Sequence, residues 1–157
     1  MMAIHPNARI GHVHLTVSDL DRALAFYRDV LGFEVTTTYG RDAVFLSAGG
    51  YHHHIGLNTW AGRGAPRPPP KTTGLYHFAI LYPDRGALAA AVRRVLKHGV
   101  ALEGAADHGV SEAVYLRDPD GNGVELYRDR AQEEWPRTPD GALTMHTRPL
   151  DLEALLA

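Results

Sequence analysis

Two histidines and one glutamate in this chain are of the residue types that a mononuclear metal site uses. His12 and His77 lie in two segments that resemble each other, and Glu125 follows a turn-rich segment. Two imidazoles and one carboxylate are the ligands of a facial site that leaves adjacent positions open, and such a site suits non-haem Fe(II). The open positions matter because a substrate and dioxygen can bind there side by side. These three residues are therefore the first candidates for a metal centre.

The composition limits which metal ligands and which binding partners the chain can have. Its 157 residues include ten histidines and no cysteine, so thiolate sites and disulfides are excluded. The net charge of -2 gives no basic surface for nucleic acid. No apolar run approaches the ~20 residues of a membrane span, and the amino terminus lacks the apolar core of a secretory signal. We therefore expect a cytoplasmic protein with no nucleic-acid or membrane partner.

A run of three histidines, His52 to His54, belongs to the segment YHHHIGLNTW at residues 51–60. The segment is interpreted as a β-strand, in which neighbouring residues point to opposite faces. The three side chains therefore cannot all face one site. The run could supply a metal ligand, a proton-handling group or only polar strand residues. His14 poses a similar question, because it shares a face with His12 and is the alternative ligand.

The pattern of apolar residues predicts one β-α-β-β-β unit that is used twice. The first copy begins with a strand at residues 10–17. A helix follows, with an N-cap at Ser18, an acidic N3 residue at Asp21 and an end at Gly32. Its apolar face is formed by four residues at helical spacing: Leu20, Leu24, Tyr27 and Leu31. Three short strands separated by glycine-bearing turns are predicted within residues 33–60.

The second copy repeats this order after about 65 residues, a longer period than that of solenoid repeats. A strand is predicted at residues 74–81, followed by a helix with an N-cap at Asp84 and an end at Gly99. The buried stripe of this helix is predicted to contain Leu88, Val92, Val95 and Leu96. Three strands are predicted within residues 100–129, the last two joined by the turn DPDGNG. The fold class is therefore predicted to be α+β.

The two copies are joined by residues 61–74, whose prolines and glycines exclude regular structure. We predict a single domain over residues 1–130, with module one at about 8–60 and module two at about 74–129. Residues 131–157 form a C-terminal extension. This extension lacks periodicity except for a short terminal helix, and it is either a surface wrap or a lid or dimer arm.

The chain resembles a member of the vicinal oxygen chelate superfamily, which contains glyoxalase I, bleomycin-resistance proteins and extradiol ring-cleaving dioxygenases. The resemblance covers about residues 8–130 and rests on three segments, GHVHLTVSDLDRALAFYRDVLGF, YHFAIL and YLRDPDGNGVELY. It implies two β-α-β-β-β modules that form a curved, partly open mixed β-sheet barrel around a metal site. The fold that it implies agrees with the unit predicted from periodicity.

The resemblance also implies which residues bind the metal. In that superfamily the first ligand lies seven residues before the acidic residue that opens the helix, which matches His12 and Asp19. A second ligand opens the second module, which matches His77, and a carboxylate follows the DPDG turn, which matches Glu125. The ion that this set implies is Fe(II), with Mn(II) as an alternative.

Two other activities of the superfamily remain as alternatives. Glyoxalase-type isomerases or lyases use Zn(II), Ni(II) or Co(II) and a fourth protein ligand, usually a carboxylate, from the last strand of the first module. That strand contains no Asp or Glu, and Gly56 stands near the expected position, although His54 could serve as a fourth ligand. Non-catalytic small-molecule binders of the bleomycin-resistance type usually lack the metal set, which this chain keeps.

The extradiol dioxygenases match the remaining residues. They carry an acid–base histidine in that same strand, which fits His53 or His54, and a tyrosine ten residues before the carboxylate, which fits Tyr115. His108 falls near another pocket histidine of the family, with a slightly different spacing. A histidine suits this role because its pKa lies near neutrality. The resemblance therefore implies an Fe(II)-dependent enzyme that opens a catechol ring next to its two hydroxyl groups, using dioxygen.

The number of modules differs from that of familiar enzymes of this type. Those enzymes often have four β-α-β-β-β units in two domains, whereas this chain has two. The metal site is therefore expected either within one chain or across a dimer. We expect a homodimer in both cases, because open sheet edges favour pairing.

Overall fold

The computed structural model describes residues 2–157. The chain divides into two compact units, one that ends at Pro66 and one that begins at Arg67. Each unit contains one mixed β-sheet and a helix packed against it. The α+β class and the two modules with mixed, open sheets are thus confirmed.

The sheet of the first unit has four strands. They are β1 (Val13–Thr16), β2 (Glu34–Tyr39), β3 (Ala43–Ser47) and β4 (Ile55–Asn58). Their order is β1-β4-β3-β2, with β1 parallel to β4 and the other pairs antiparallel. His12 therefore lies one residue before β1, and the predicted strand at residues 10–17 is longer than the observed one.

The first helix, α1 (Leu20–Leu24), begins one residue later than predicted. Its N-cap is Asp19, whose Oδ1 accepts a hydrogen bond from the backbone N–H of Arg22 at 2.8 Å. The predicted cap, Ser18, is wrong because its hydroxyl instead accepts from the Arg22 guanidinium at 2.8 Å. Asp19 is in an extended conformation, and from there a carboxylate reaches the free N–H groups of the first turn.

The same helix widens into a π-helical segment at Ala25–Val30, which the sequence pattern did not predict. The N–H of Leu31 bonds the carbonyl of Phe26, five residues earlier, at 2.9 Å. The wider turn changes which residues face the core. Those that are buried are Ala23, Phe26, Tyr27 and Val30, so only Tyr27 of the predicted stripe is fully buried.

The histidine run does not lie in a strand, and this part of the prediction is wrong. Gly49 and Gly50 have φ of 67° and 79°, a conformation that glycine adopts at little cost. The chain therefore turns sharply after β3, and the following histidines form a bent connection that ends where β4 begins at Ile55.

The sheet of the second unit has five strands. They are β5 (His77–Tyr82), β6 (Leu102–Asp107), β7 (Ser111–Arg117), β8 (Gly123–Asp129) and β9 (Arg148–Pro149). Their order is β5-β8-β7-β6-β9, with β5 parallel to β8. Apart from β9 this is the order of the first unit, so the duplication extends to strand pairing.

Helix α2 (Arg85–Lys97) packs against β5 and β8. Asp84 caps it as predicted, accepting from the N–H of Ala87 at 2.8 Å. Its buried residues are Leu88, Ala89, Val92 and Val95. Leu96 was predicted to be buried but is 42% exposed, because it lies in the last turn of the helix, at the margin of the stripe formed by Leu88, Val92 and Val95.

The C-terminal extension packs on the second unit. It contains a 3₁₀ turn (Gln132–Glu134), strand β9, which pairs with β6, and helix α3 (Leu152–Leu156). Leu155 is 2% exposed, and Arg85 of α2 donates to the carbonyl of Ala154 at 3.0 Å. The extension is thus an ordered part of this unit. None of the helices formed by residues 2–157 combines the length and the apolarity that crossing a membrane requires.

Candidate active site

His77 and Glu125 form a pair on one face of the second sheet. In the parallel pairing of β5 and β8, His77 lies opposite Gly123 and Ala79 lies opposite Glu125. Residues two apart share a face, so both side chains project to the same side. His77 Nε2 and Glu125 Oε2 are 2.8 Å apart, with side-chain exposures of 31% and 11%. His77 is therefore partly accessible, whereas Glu125 is largely shielded from bulk solvent.

Gly123 allows the two strands to approach at this point. A Cβ atom at this position would lie 2.3 Å from the carbonyl oxygen of Tyr76 and 2.9 Å from Cβ of His77. Neither distance is compatible with an unmoved neighbour, so only glycine fits. The position of the His77 ring over β8 thus depends on the residue at the start of that strand.

Tyr115 lies beside this pair on the next strand. It is paired with Glu125 across β7 and β8, and its hydroxyl oxygen is 2.6 Å from Nε2 of His108. Burial, the negative charge of Glu125 and the neighbouring Tyr76 raise the pKa of Tyr115 to about 12. The phenol therefore keeps its proton throughout the physiological range.

His77 and Tyr115 border a cleft of about 350 Å³ within the second unit. Its wall includes Tyr76, His77, His108 and Tyr115 together with Thr147 from the C-terminal extension. An aromatic diol is small enough for a cleft of this size, which is at the lower end of the range for small-molecule sites. The cleft thus presents the imidazole of His77 and the phenol of Tyr115, and the buried carboxylate of Glu125 contacts His77 without lining the cleft itself.

In the first unit, the rings of His12 and His53 are in contact, with centroids 4.3 Å apart and planes tilted by 47°. Burial against these neighbours, followed by the nearby histidines, lowers the pKa of His53 below its usual value. Its imidazole is therefore neutral at physiological pH and can accept a proton. Nδ1 of His52 lies 2.7 Å from Nδ1 of His53, so these two rings share one hydrogen.

His54 has a different environment from His53. Its Nδ1 accepts a hydrogen bond from the N–H of Ala48 at 3.2 Å and lies 3.3 Å from the hydroxyl of Ser47. These contacts brace the turn between β3 and β4. The two acid–base candidates thus differ in their contacts. The ring of His53 contacts that of His12, whereas Nδ1 of His54 is hydrogen-bonded within the turn between β3 and β4.

His14 lies over the backbone of Gly56, packed against the rings of Phe45 and Trp60 at 5.6 Å and 5.3 Å. A Cβ at Gly56 would be 2.9 Å from Cγ of His14, so the glycine makes room for this ring. The contacts favour a packing role for His14 and leave His12 as the ligand candidate.

The two units can be compared position by position through their strand registers. His12 and His77 each lie seven residues before an N-cap aspartate. In the first unit His14 pairs with Gly56, which pairs with Phe45, whereas in the second Ala79 pairs with Glu125, which pairs with Tyr115. Gly56 thus occupies the position of Glu125, and Phe45 that of Tyr115. The first unit retains the histidine but lacks the carboxylate and the phenol.

The donor atoms of the second unit fit a hard or borderline metal ion. An imidazole nitrogen and a carboxylate oxygen at adjacent coordination positions, each about 2.1 Å from an ion, lie about 3 Å apart, close to the 2.8 Å between His77 and Glu125. Among residues 2–157, no group of three or more His, Asp or Glu side chains that could hold a metal ion is found. The structure brings together two of the predicted ligands, and the set with His12 stays a prediction.

Sequence reasoning missed two contacts from the C-terminal extension. The carbonyl of His146 and the hydroxyl of Thr147 both lie near Nδ1 of His108, at 3.1 Å and 3.3 Å. A backbone carbonyl carries no sequence signal, and Thr147 lies in a segment without periodicity.

The match to a family model agrees with the fold. Residues 9–126 match the model of the Glyoxalase/Bleomycin resistance protein/Dioxygenase superfamily. The chain therefore belongs to this superfamily, as its sequence motifs indicated.

Two relatives and one solved structure show the range of names in this superfamily. A catechol-2,3-dioxygenase from Bacillus subtilis is 44% identical over 156 residues, which cover 99% of this chain and 54% of the relative. A biphenyl-2,3-diol 1,2-dioxygenase from Rhodococcus globerulus is 36% identical, over 77% of this chain and 63% of its own length. A lactoylglutathione lyase structure from Agrobacterium tumefaciens superposes with a TM-score of 0.60 at 29% identity, covering 79% and 96% of the two chains. The chain thus spans between half and two thirds of these two dioxygenases.

Proposed function

We propose that this protein is a non-haem Fe(II)-dependent extradiol dioxygenase that cleaves a catechol-type substrate with dioxygen. The observation that carries the proposal is the pairing of His77 with Glu125 beside Tyr115 on one face of the second sheet, where His77 and Tyr115 line a cleft. The names of the two dioxygenase relatives support the same reaction class. In this reaction one ring bond next to the diol breaks and both oxygen atoms enter the product, so no external reductant is consumed.

His12, His77 and Glu125 would hold the metal, with Fe(II) as the proposed ion and Mn(II) as the alternative. When bound, the ion supplies positive charge that lowers the pKa of the diol and open positions for the diol and dioxygen. Tyr115 meets the substrate as a neutral phenol, because its pKa is raised to about 12. His53, whose ring contacts that of His12 and whose pKa is lowered, is the proposed acid–base residue.

The test is an aerobic assay of protein loaded anaerobically with Fe(II). We expect a panel of catechols to give a yellow ring-fission product, with one dioxygen consumed per molecule cleaved. Glu125→Gln should reduce the rate about 10³-fold, because a lost metal ligand removes several kcal/mol of transition-state stabilisation. The matched control is Glu133→Gln on the exposed 3₁₀ turn, which should retain full activity. No cleavage of any catechol by the Fe(II) protein would overturn the proposal.

A metal-dependent isomerase or lyase is the second candidate, because a lactoylglutathione lyase has a similar fold. It predicts activity with Zn(II), Ni(II) or Co(II) and four protein ligands. Gly56, which occupies the position of Glu125 in the first unit, speaks against it because it cannot supply a fourth carboxylate. A non-catalytic binder would instead take up an aromatic ligand without turnover.

We also propose that the protein is a homodimer. Strands β1 and β5 lie at the edges of their sheets, and such edges favour pairing with a further strand. Sedimentation equilibrium should give about twice the chain mass of 17.2 kDa. A monomer over the micromolar range would contradict this part of the proposal.

A further inference from the structure

The ring of His108 is held between the cleft and the C-terminal extension. Its Nδ1 lies 3.1 Å from the carbonyl oxygen of His146 and 3.3 Å from the hydroxyl of Thr147. The backbone N–H of His146 donates in return to the carbonyl of His108 at 3.3 Å. On the other side of the ring, Nε2 lies 2.6 Å from the Tyr115 hydroxyl. Both ring nitrogens therefore have fixed partners.

These partners determine which ring nitrogen carries the hydrogen. A carbonyl oxygen can only accept, so Nδ1 of His108 must donate to His146, and the Thr147 hydroxyl can accept from the same N–H. A neutral imidazole has one donor and one acceptor nitrogen, so Nε2 presents its lone pair to Tyr115. The Tyr115 hydroxyl then donates to Nε2, and its oxygen remains free to accept a hydrogen bond from a substrate hydroxyl.

Contacts with the second unit hold the C-terminal extension in place beside His108. Strand β9 pairs with the end of β6, directly before His108 in the chain. Gly109 follows with a φ of 77°, and a Cβ there would lie 2.6 Å from Pro136 and 2.7 Å from Nε2 of His146. The extension therefore sits against a backbone position that tolerates no side chain, and its residues next to His108 cannot be displaced without a rearrangement.

We propose that the C-terminal extension is part of the active site, where Thr147 and the His146 carbonyl hold His108 as its Nδ1–H tautomer. Thr147 is a positioning residue, which acts through His108 and Tyr115. This inference rests on the proposed function for the identity of the substrate.

The tautomer can be measured without any activity. Long-range ¹H–¹⁵N correlation spectra of the full chain with ¹⁵N-labelled histidine, loaded with diamagnetic Zn(II), report the hydrogen on each ring nitrogen at pH 8. The signal of His108 is assigned by its loss in the His108→Gln variant. We expect a protonated Nδ1 and an unprotonated Nε2. A protonated Nε2 in the neutral ring would overturn the inference whether or not the protein cleaves catechols.

A kinetic test addresses Thr147 in the Fe(II) protein. Thr147→Val should lower kcat about five-fold with little change in KM, the size of effect that one neutral hydrogen bond produces. Thr147→Ser, which keeps the hydroxyl, should restore kcat, and Thr144→Val on the same extension is the matched control. A kcat for Thr147→Val equal to that of the unmodified protein would exclude the positioning role. Absence of cleavage by the unmodified protein would instead reject the proposed function, and the spectrum would then decide the tautomer alone.

Discussion

The position of Gly123 gives the most direct way to disturb the His77–Glu125 pair without changing either ligand. In Gly123→Ala the new methyl group would begin 2.3 Å from the carbonyl oxygen of Tyr76. A carbon–oxygen contact of this kind settles at about 3.3 Å, so the backbone before His77 must move by about 1 Å. The neighbouring atom is backbone, which cannot rotate away as a flexible side chain would.

A shift of about 1 Å should affect metal binding more than stability. We expect the affinity for Mn(II), a stand-in for Fe(II), to fall about 10- to 100-fold, the range seen when support for a metal ligand is lost. The free energy of unfolding should fall by about 1–2 kcal/mol, because overpacking costs about 1–3 kcal/mol and alanine recovers part of it over glycine. Isothermal titration calorimetry and thermal unfolding measure the two quantities.

Gly104→Ala is the matched control for this substitution. Gly104 lies on β6 of the same sheet, and a Cβ there meets no atom within 4 Å. Its metal affinity should match that of the unmodified protein. If Gly123→Ala binds Mn(II) as tightly as Gly104→Ala does, the placement of His77 by β8 is not what organises the metal site.

Three further predictions follow from the second unit. Tyr115→Phe should lower kcat about 10²-fold or more with Fe(II) bound, which is the lower range for the loss of a group that takes part in proton transfer. Stopped-flow rates equal to those of the unmodified protein would contradict a role of the Tyr115 hydroxyl in the reaction. Burial alone would raise the pKa of Asp107, but hydrogen bonds from Gly109 and Arg130 outweigh it and the pKa is lowered. Asp107 thus stabilises the fold above its unfolded pKa of about 4, and this stability is lost as the pH falls through the lower folded value. In Asp107→Asn, urea unfolding should show about 1 kcal/mol less stability at pH 7 and a flatter acid limb; an acid limb identical to that of the unmodified protein would refute this. Leu155→Ala should cost about 2–3 kcal/mol because the side chain is 2% exposed, and a loss below 0.5 kcal/mol by the same assay would mean that α3 does not contribute to stability.

The repeated unit could be predicted because its signals are local. Asp84 caps α2 and the DPDG turn joins β7 to β8, both as the sequence indicated. In that turn Asp118 accepts from the N–H groups of Asp120 and Asn122 at 2.9 Å and 2.8 Å. Residue type alone specifies such contacts, because they form between groups that are close in the chain. The same local motifs pointed to His77 and Glu125, which the structure brings into contact, and their role as metal ligands stays a prediction.

The errors arose where spatial neighbours decide the structure. The π-helical segment at Ala25–Val30 buries Phe26, Tyr27 and Val30, and a periodicity of 3.6 residues does not describe it. The histidine run was interpreted as a strand from its neighbours, yet Gly49 and Gly50 turn the chain before it. The contacts of the extension with His108 depend on a backbone carbonyl and thus on a fold that brings together residues far apart in sequence.

The ligand set is the central claim, and anomalous diffraction at the iron edge tests it most directly. Crystals grown anaerobically with Fe(II) should show one strong peak about 2.0–2.3 Å from Nε2 of His77, from an oxygen of Glu125 and from a nitrogen of His12. An iron peak away from these three residues, or none at a concentration that supports ring cleavage, would contradict the account.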